Sequence, residues 1–159
     1  MKLAAPAALI LAVAIVALVL TATSGGSSNA PQPTRSASGQ PAVDVRSAAL
    51  GRILVDARGR TLYLFEADAP DKSNCSSACL SLWPSVTSAG TPKAGAGALA
   101  GKLGTIPVAG GGRQVTYNHH PLYRYAGDQK PGDTTGQGLK QFGAEWYVLA
   151  PTGDKIDNG

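Results

Sequence analysis

The sequence carries little of what catalytic sites are usually made from: two histidines, two cysteines and ten acidic residues in 159 positions. The histidines are adjacent, His119 and His120, and the cysteines, Cys75 and Cys79, stand four apart. There is no Gly-x-Ser-x-Gly elbow and no Ser-x-x-Lys with companion motifs, so the familiar serine-nucleophile signatures are excluded. Gly95, Gly97, Gly101 and Lys102 have the wrong spacing for a phosphate loop, and Leu103 stands where Ser or Thr should hold magnesium. Cys-Ser-Ser-Ala-Cys lacks the two-residue spacing of thiol–disulfide oxidoreductases. Blocks of one charge are missing as well. Arg35, Arg46, Arg52, Arg58, Arg60, Arg113, Lys130 and Lys140 are scattered, so a net charge of +4 makes no nucleic-acid footprint and no more than a weak attraction to anionic wall polymers.

Only one long apolar run exists. Met1 and Lys2 precede Leu3 to Leu20, which holds only Leu, Ala, Pro, Ile and Val, and small residues (Thr21, Ala22, Thr23, Ser24) follow. Residues 1–23 therefore read as a secretory signal or, if uncleaved, as a membrane anchor helix, since about 20 apolar residues cross a bilayer. Residues 24–41 are rich in Ser, Gly, Pro and Gln and hold almost no large apolar side chain, so they read as a disordered linker. Residues 42–156 have the length of one domain with one core. Nothing suggests a membrane contact beyond the N-terminal segment, and the expected location is the outside of the cell or its envelope, secreted or anchored.

In an oxidising compartment Cys75 and Cys79 are expected to pair and to lock the loop from Asn74 to Leu80. Elsewhere the period is two. Val43 and Val45, then Leu50, Ile53 and Val55, alternate with Asp44, Arg46, Arg52 and Asp56, as half-buried strands do. Ala57-Arg58-Gly59-Arg60 supplies a turn, and Thr61 to Phe65 is a β-branched and aromatic run expected to close a hairpin.

The chain also repeats itself. Leu50-Gly51-x-Ile53-x-Val55 with Gly59-Arg60 returns as Leu103-Gly104-x-Ile106-x-Val108 with Gly112-Arg113. Leu62-Tyr63-x-Phe65-x-x-Asp68 returns as Leu122-Tyr123-x-Tyr125-x-x-Asp128, and each copy is followed by a tryptophan, Trp83 and Trp146. The expected fold is all-β: a small pseudo-repeated domain of antiparallel sheets, with Leu103–Val108, Arg113–Tyr117 and Pro121–Ala126 as a three-stranded meander and Trp146–Ala150 as the closing strand. The stretch from Ser88 to Gly101 reads as a loop with one helical turn near Ala98–Lys102, and Asp128 to Lys140 as a long polar loop of the kind that carries contacts.

Residues two apart on a strand share a face, so Tyr63 with Phe65, and Tyr123 with Tyr125, present rings in pairs. These rings can fill a small core, with Asp68 and Asp128 capping the turns that follow, or form an aromatic platform flanked by carboxylates for a sugar, polymer or cation. The core use is expected, because aromatics carry the buried area that small domains need. A hydrolase built on Asp68 and Asp128 would require the two carboxyls about 5–9.5 Å apart. His119 and His120 point to opposite faces of an extended segment, so one of them, together with Cys75 and Cys79 as thiolates, would be needed for a zinc or copper site, and a disulfide competes directly with that.

Several stretches together carry a resemblance. They are Gly59-Arg60-Thr61-Leu62-Tyr63-Leu64-Phe65-Glu66-Ala67-Asp68; Cys75 and Cys79 with Trp83-Pro84; Gln114 to Asn118; His120-Pro121-Leu122-Tyr123; Gly127-Asp128; Pro131 to Thr134; Gly136-Gln137-Gly138; and Trp146-Tyr147-Val148. With these the chain resembles the bacterial secreted repeat of unknown function, also described as predicted lipoproteins with a Tyr-x-aromatic-x-x-Asp motif. The resemblance implies an envelope location and two related motif copies, and no activity. It does not bring a lipid anchor, because no cysteine precedes Cys75, and His119 stands where a small residue such as Gly is expected in its turn. The expectation is therefore an exported, non-enzymatic binding or structural module without a cofactor, with a cell-wall component or envelope protein as partner. The metal-binding and hydrolase readings are its alternatives.

Overall fold

The computed structural model describes residues 42–109 and 111–157. The expected signal or anchor over 1–23 and the linker over 24–41 lie outside the described residues. Among the described residues no helix is long and apolar enough to cross a membrane.

In chain order the elements are β1 (Ala42–Ala48), β2 (Gly51–Asp56), β3 (Tyr63–Phe65), a short helix α1 (Ser77–Leu82), β4 (Thr87–Ser88), β5 (Lys93–Ala94), a 3-10 turn (Ala100–Lys102), β6 (Leu103–Pro107), β7 (Arg113–Tyr117), β8 (His120–Pro121), β9 (Leu139–Gln141) and β10 (Ala144–Val148). They form three small sheets: β2-β1-β5, β3-β10-β9, and β4-β7-β6 with β8 also on β7. β1 and β2 are an antiparallel hairpin running from Ala48↔Gly51 to Val43↔Asp56, and β6 with β7 is its counterpart, from Pro107↔Arg113 to Leu103↔Tyr117.

Three expectations need correction. The run from Thr61 to Phe65 closes only the start of a hairpin on β2, with Asp56 N donating to Arg60 O at 2.8 Å and Leu62 N to Leu54 O at 3.0 Å. A single bridge, Val55↔Thr61, joins them, and β3 pairs with β10, more than seventy-five residues away in the chain, through Phe65↔Trp146 and Val148↔Tyr63. The meander likewise ends early. β8 follows β7 for two residues, and Tyr123 then leaves that ladder to bridge Tyr63 and Ser85. Finally, β1 is half-buried as expected, with Val43 buried and Arg46 exposed, but the central strands are not. Ile53 to Asp56 are all buried, and so are Tyr63 to Phe65 and Trp146 to Leu149.

All three corrections have one cause. The central strands lie between two apolar clusters, so the period of two sorts side chains into two cores instead of dividing core from solvent. Leu54, Leu62, Leu64, Leu122, Tyr147 and Leu149 enter one cluster with Val115 and Tyr117. Ile53, Val55, Tyr63, Phe65, Tyr123, Trp146 and Val148 enter the other, with Trp83 and both cysteines. A strand buried on both faces takes its partner from whichever segment completes the second core, and here that segment belongs to the other half of the chain.

Candidate functional site

The motif residues meet across the repeats. Tyr63 and Tyr123 exchange backbone hydrogen bonds, Tyr63 N to Tyr123 O at 2.9 Å and Tyr123 N to Tyr63 O at 3.0 Å, so the two copies face each other about a local two-fold axis. Their phenols then cross over. The Tyr63 hydroxyl donates to Asp128 Oδ2 and the Tyr123 hydroxyl to Asp68 Oδ2, each at 2.7 Å. Each carboxylate also accepts an amide from the loop that follows it, Asn74 N to Asp68 Oδ1 at 2.7 Å and Thr135 N to Asp128 Oδ1 at 3.0 Å. Each phenol oxygen in turn accepts from the opposite copy's Asp-bound loop: Ser73 Oγ reaches Tyr123 at 2.7 Å and Gly136 N reaches Tyr63 at 3.3 Å.

The rings repeat the same symmetry. Trp83 and Trp146 stack on each other at 3.9 Å and 6°, and each is flanked by an edge-on tyrosine of its own copy, Tyr63 at 5.3 Å and Tyr123 at 5.2 Å. Phe65 stacks on Trp146 at 4.2 Å, and Tyr125 lies tilted against Trp83 at 4.4 Å. Tyr63, Tyr123, Trp83 and Trp146 have no exposed surface. They form a core and no open platform.

The two halves of this lock differ in exposure. Asp128 is 5 % exposed and its two oxygens accept three hydrogen bonds, with Thr135 Oγ1 the third. Asp68 is half-buried, and burial holds its carboxyl above the usual range against the opposing pull of the Asn74 and Tyr123 hydrogen bonds. Burial also pushes both phenols well above a free tyrosine, for Tyr63 with Asp128 adding to the effect and for Tyr123 with Asp68 doing so.

Asp68 opens onto a surface cleft of about 310 Å³ that Glu66, His120, Asp154 and Lys155 also line. β3 delivers the first two acids from its C-terminal end, β8 delivers His120, and the turn after β10 delivers the last pair. Lys155 is held by Glu66 at 2.6 Å and Asp157 at 3.2 Å and lies over the Tyr147 ring, and the Glu66 contact above all keeps its ammonium protonated. Burial lowers the His120 imidazole below its usual range, partly opposed by Asp154, so at neutral pH it is an uncharged group able to donate from one nitrogen and accept at the other.

His119 stands apart from this cleft. Asn118 and His119 form the two-residue turn between β7 and β8 with φ of 50° and 67°, the left-handed region that explains why Gly was expected there. His119 Nδ1 lies 2.6 Å from Asp71 Oδ2, with the side chains 72 % and 47 % exposed, a surface contact of small weight. Cys75 and Cys79 are bonded to each other, Cα to Cα 5.3 Å, and so are not thiolate ligands. No group of three His, Cys, Asp or Glu side chains is placed to hold a metal ion among the described residues.

Asn74 and Gly136 were named in the sequence only as a loop boundary and as part of a matching stretch, and Thr135 not by itself, although all three hold the lock. A signal existed: each lies six to eight residues past its Asp, in matching loops. Gly136 is there for space, since a Cβ would come within 2.7 Å of Trp83 and 3.0 Å of Tyr63. Asp154 and Lys155 gave no signal, because they belong to the tail beyond the second copy.

A family model described as a secreted repeat of unknown function matches the chain twice, over residues 45–87 and 104–150. These are the two halves that the lock joins. No curated protein and no solved structure gives a match.

Proposed function

Because this chain belongs to the family of secreted repeats of unknown function and is an exported protein, we propose that it is a non-enzymatic module, rigid by virtue of its paired repeats, that binds a small polar envelope ligand in the cleft of Asp68 and His120. The observation that carries this reading is the crossing of the tyrosine–aspartate pairs, which turns the most recognisable residues of the chain into structure. Asp128 accepts three hydrogen bonds while almost wholly buried, which speaks for a structural role. Asp68 accepts two and keeps one side on the cleft. A pair of free carboxyls facing each other across a gap, as glycoside hydrolysis needs, is not what this arrangement supplies.

The cleft offers donors and acceptors of both signs on a rigid floor, which suits hydrogen bonding to a polar ligand. Retention at the membrane through residues 1–23 belongs to the same proposal and would keep the module at the cell surface.

Titration of the purified protein with soluble disaccharide–peptide fragments of cell wall, followed by amide chemical shifts, tests it. Shifts confined to Glu66, His120 and Lys155, weakened about tenfold by His120→Ala without loss of melting temperature, are expected for a polar contact of about 1.4 kcal/mol. Turnover of the fragments that disappears in Asp68→Asn would replace the binding reading with the hydrolase.

A further inference from the structure

Three segments that are separate in the sequence, carrying four cations, come together in the fold. Arg46 lies on β1, Arg58 and Arg60 in the turn after β2, and Lys130 in the loop after Asp128. Gly132 N donates to Gly59 O at 2.9 Å and Thr61 Oγ1 to Asp133 O at 2.5 Å, which docks the second copy's loop onto the first copy's turn. The Arg46 guanidinium lies in the notch between them. A Cβ on Gly59 would come within 2.9 Å of its Nη1 and a Cβ on Gly132 within 3.3 Å of its Nε, and both glycines have positive φ, 76° and 83°.

Nearby acids do little to neutralise the notch. Asp56 holds the turn from beneath, with Oδ1 accepting from the amides of Arg58 and Arg60 at 2.8 and 3.0 Å. Its charge is paired with Arg124, at 2.8 Å from Nε to Oδ2. Asp133 remains, its Oδ2 accepting from the amides of Gln129 and Lys130, and its single negative charge leaves the four cations in excess by three. Among the described residues Arg46, Arg58, Arg60 and Lys130 have no carboxylate ion-pair partner, and Arg46, Arg58 and Lys130 are exposed.

We propose that this notch is a docking site for a soluble phosphodiester polymer of the cell envelope, with Arg46 as its central phosphate contact. A guanidinium held between two glycines presents its fork with less side-chain entropy left to lose, and the fork matches phosphate oxygens in a bidentate contact. The three flanking cations favour a chain of phosphates over a single one. A membrane surface is the less fitting partner. Among the described residues the exposed large apolar side chains are Leu80, Leu99 and Phe142, all on other segments, so the notch offers only the small ring of Pro131 beside the charges.

Calorimetric titration of the full-length protein with a synthetic poly(glycerol phosphate) oligomer, at about 50 mM and about 200 mM salt, decides the matter. The double variant Arg46→Gln with Lys130→Gln should bind about tenfold more weakly, as the loss of two phosphate contacts requires, with a shallower dependence on salt. Lys93→Gln with Lys140→Gln removes the same charge elsewhere and should change affinity by less than about twofold. Arg46→Lys keeps the charge, loses the fork and should fall between them. All these side chains are at the surface, and unchanged melting curves establish that each variant is folded. Equal weakening by the two double variants would reduce the effect to diffuse net charge and overturn the site. So would absence of binding by the unaltered protein, or preferential binding to phosphatidylglycerol vesicles at equal phosphate concentration.

Discussion

Tyr63 and Tyr123 make the same hydrogen bond to carboxylates of unequal exposure, which predicts unequal costs. In Tyr63→Phe the buried Asp128 loses a donor that water cannot replace, and a loss of about 1–3 kcal/mol follows. In Tyr123→Phe the half-buried Asp68 can recruit solvent, and the loss should be smaller. Urea denaturation of both variants measures the difference; equal costs would mean that the cleft does not hydrate Asp68. The raised phenol values also give a pH dependence. Both groups bind their protons more tightly folded than unfolded, so their contribution is complete below about pH 10 and is lost as pH rises beyond it. His120 has the opposite sign, because its folded value is depressed: its contribution is complete above about pH 6.5 and is lost as pH falls through the lower folded value. The melting-temperature advantage of the unaltered protein over His120→Gln should therefore shrink between about pH 7.5 and pH 5. A constant advantage would show that His120 titrates like a free imidazole.

At the scale of elements, matching loops are held by different means. The first copy's loop, from Ser73 to Cys79, is closed by the disulfide and runs into α1, while the second copy's loop is held by Thr135 and by Gly136 packed against Trp83. Replacing both cysteines with serine should cost about 2 kcal/mol by loop-closure entropy. It should also speed hydrogen exchange at the Asn74 amide far more than at Thr135, because only the first loop depends on the bridge. Comparable acceleration at both would mean that the two loops open as one unit. The β9–β10 hairpin carries a different cost. Its two-residue turn is Phe142–Gly143, and Phe142 has φ of 55° with 47 % of its surface exposed. Asn tolerates that conformation far better than an aromatic residue, so Phe142→Asn should raise stability by about 1 kcal/mol in the same denaturation experiment. A loss of stability would show that the exposed ring has a contact worth more than the strain.

For the whole molecule, the closing segment of each copy pairs with the opening segment of the other. β10 and Leu149 lie against β3 and Leu54, while Leu82 to Val86 bond Val115 and Leu122 to Ala126. Neither half can bury its tryptophan alone. Fragments 42–90 and 91–157 should each lack a cooperative melt and regain one when mixed, together with the near-ultraviolet dichroism of the stacked tryptophans. An independent transition in either fragment would refute the interlock. The sequence by itself determined the β class, the two copies and their Tyr-x-aromatic-x-x-Asp motifs, and the pairing of Cys75 with Cys79 in an oxidising location. Those properties are local, set by a period of two, by turn residues, or by four residues of separation. Tertiary structure alone decided that Tyr63 meets Asp128 and not Asp68, that alternation in the central strands divides two cores and not core from water, and that the segments carrying Arg46, Arg58, Arg60 and Lys130 lie side by side. Each depends on which distant segment completes a strand buried on both faces, and that choice is made by the summed burial of both halves, a quantity no short stretch of residues contains.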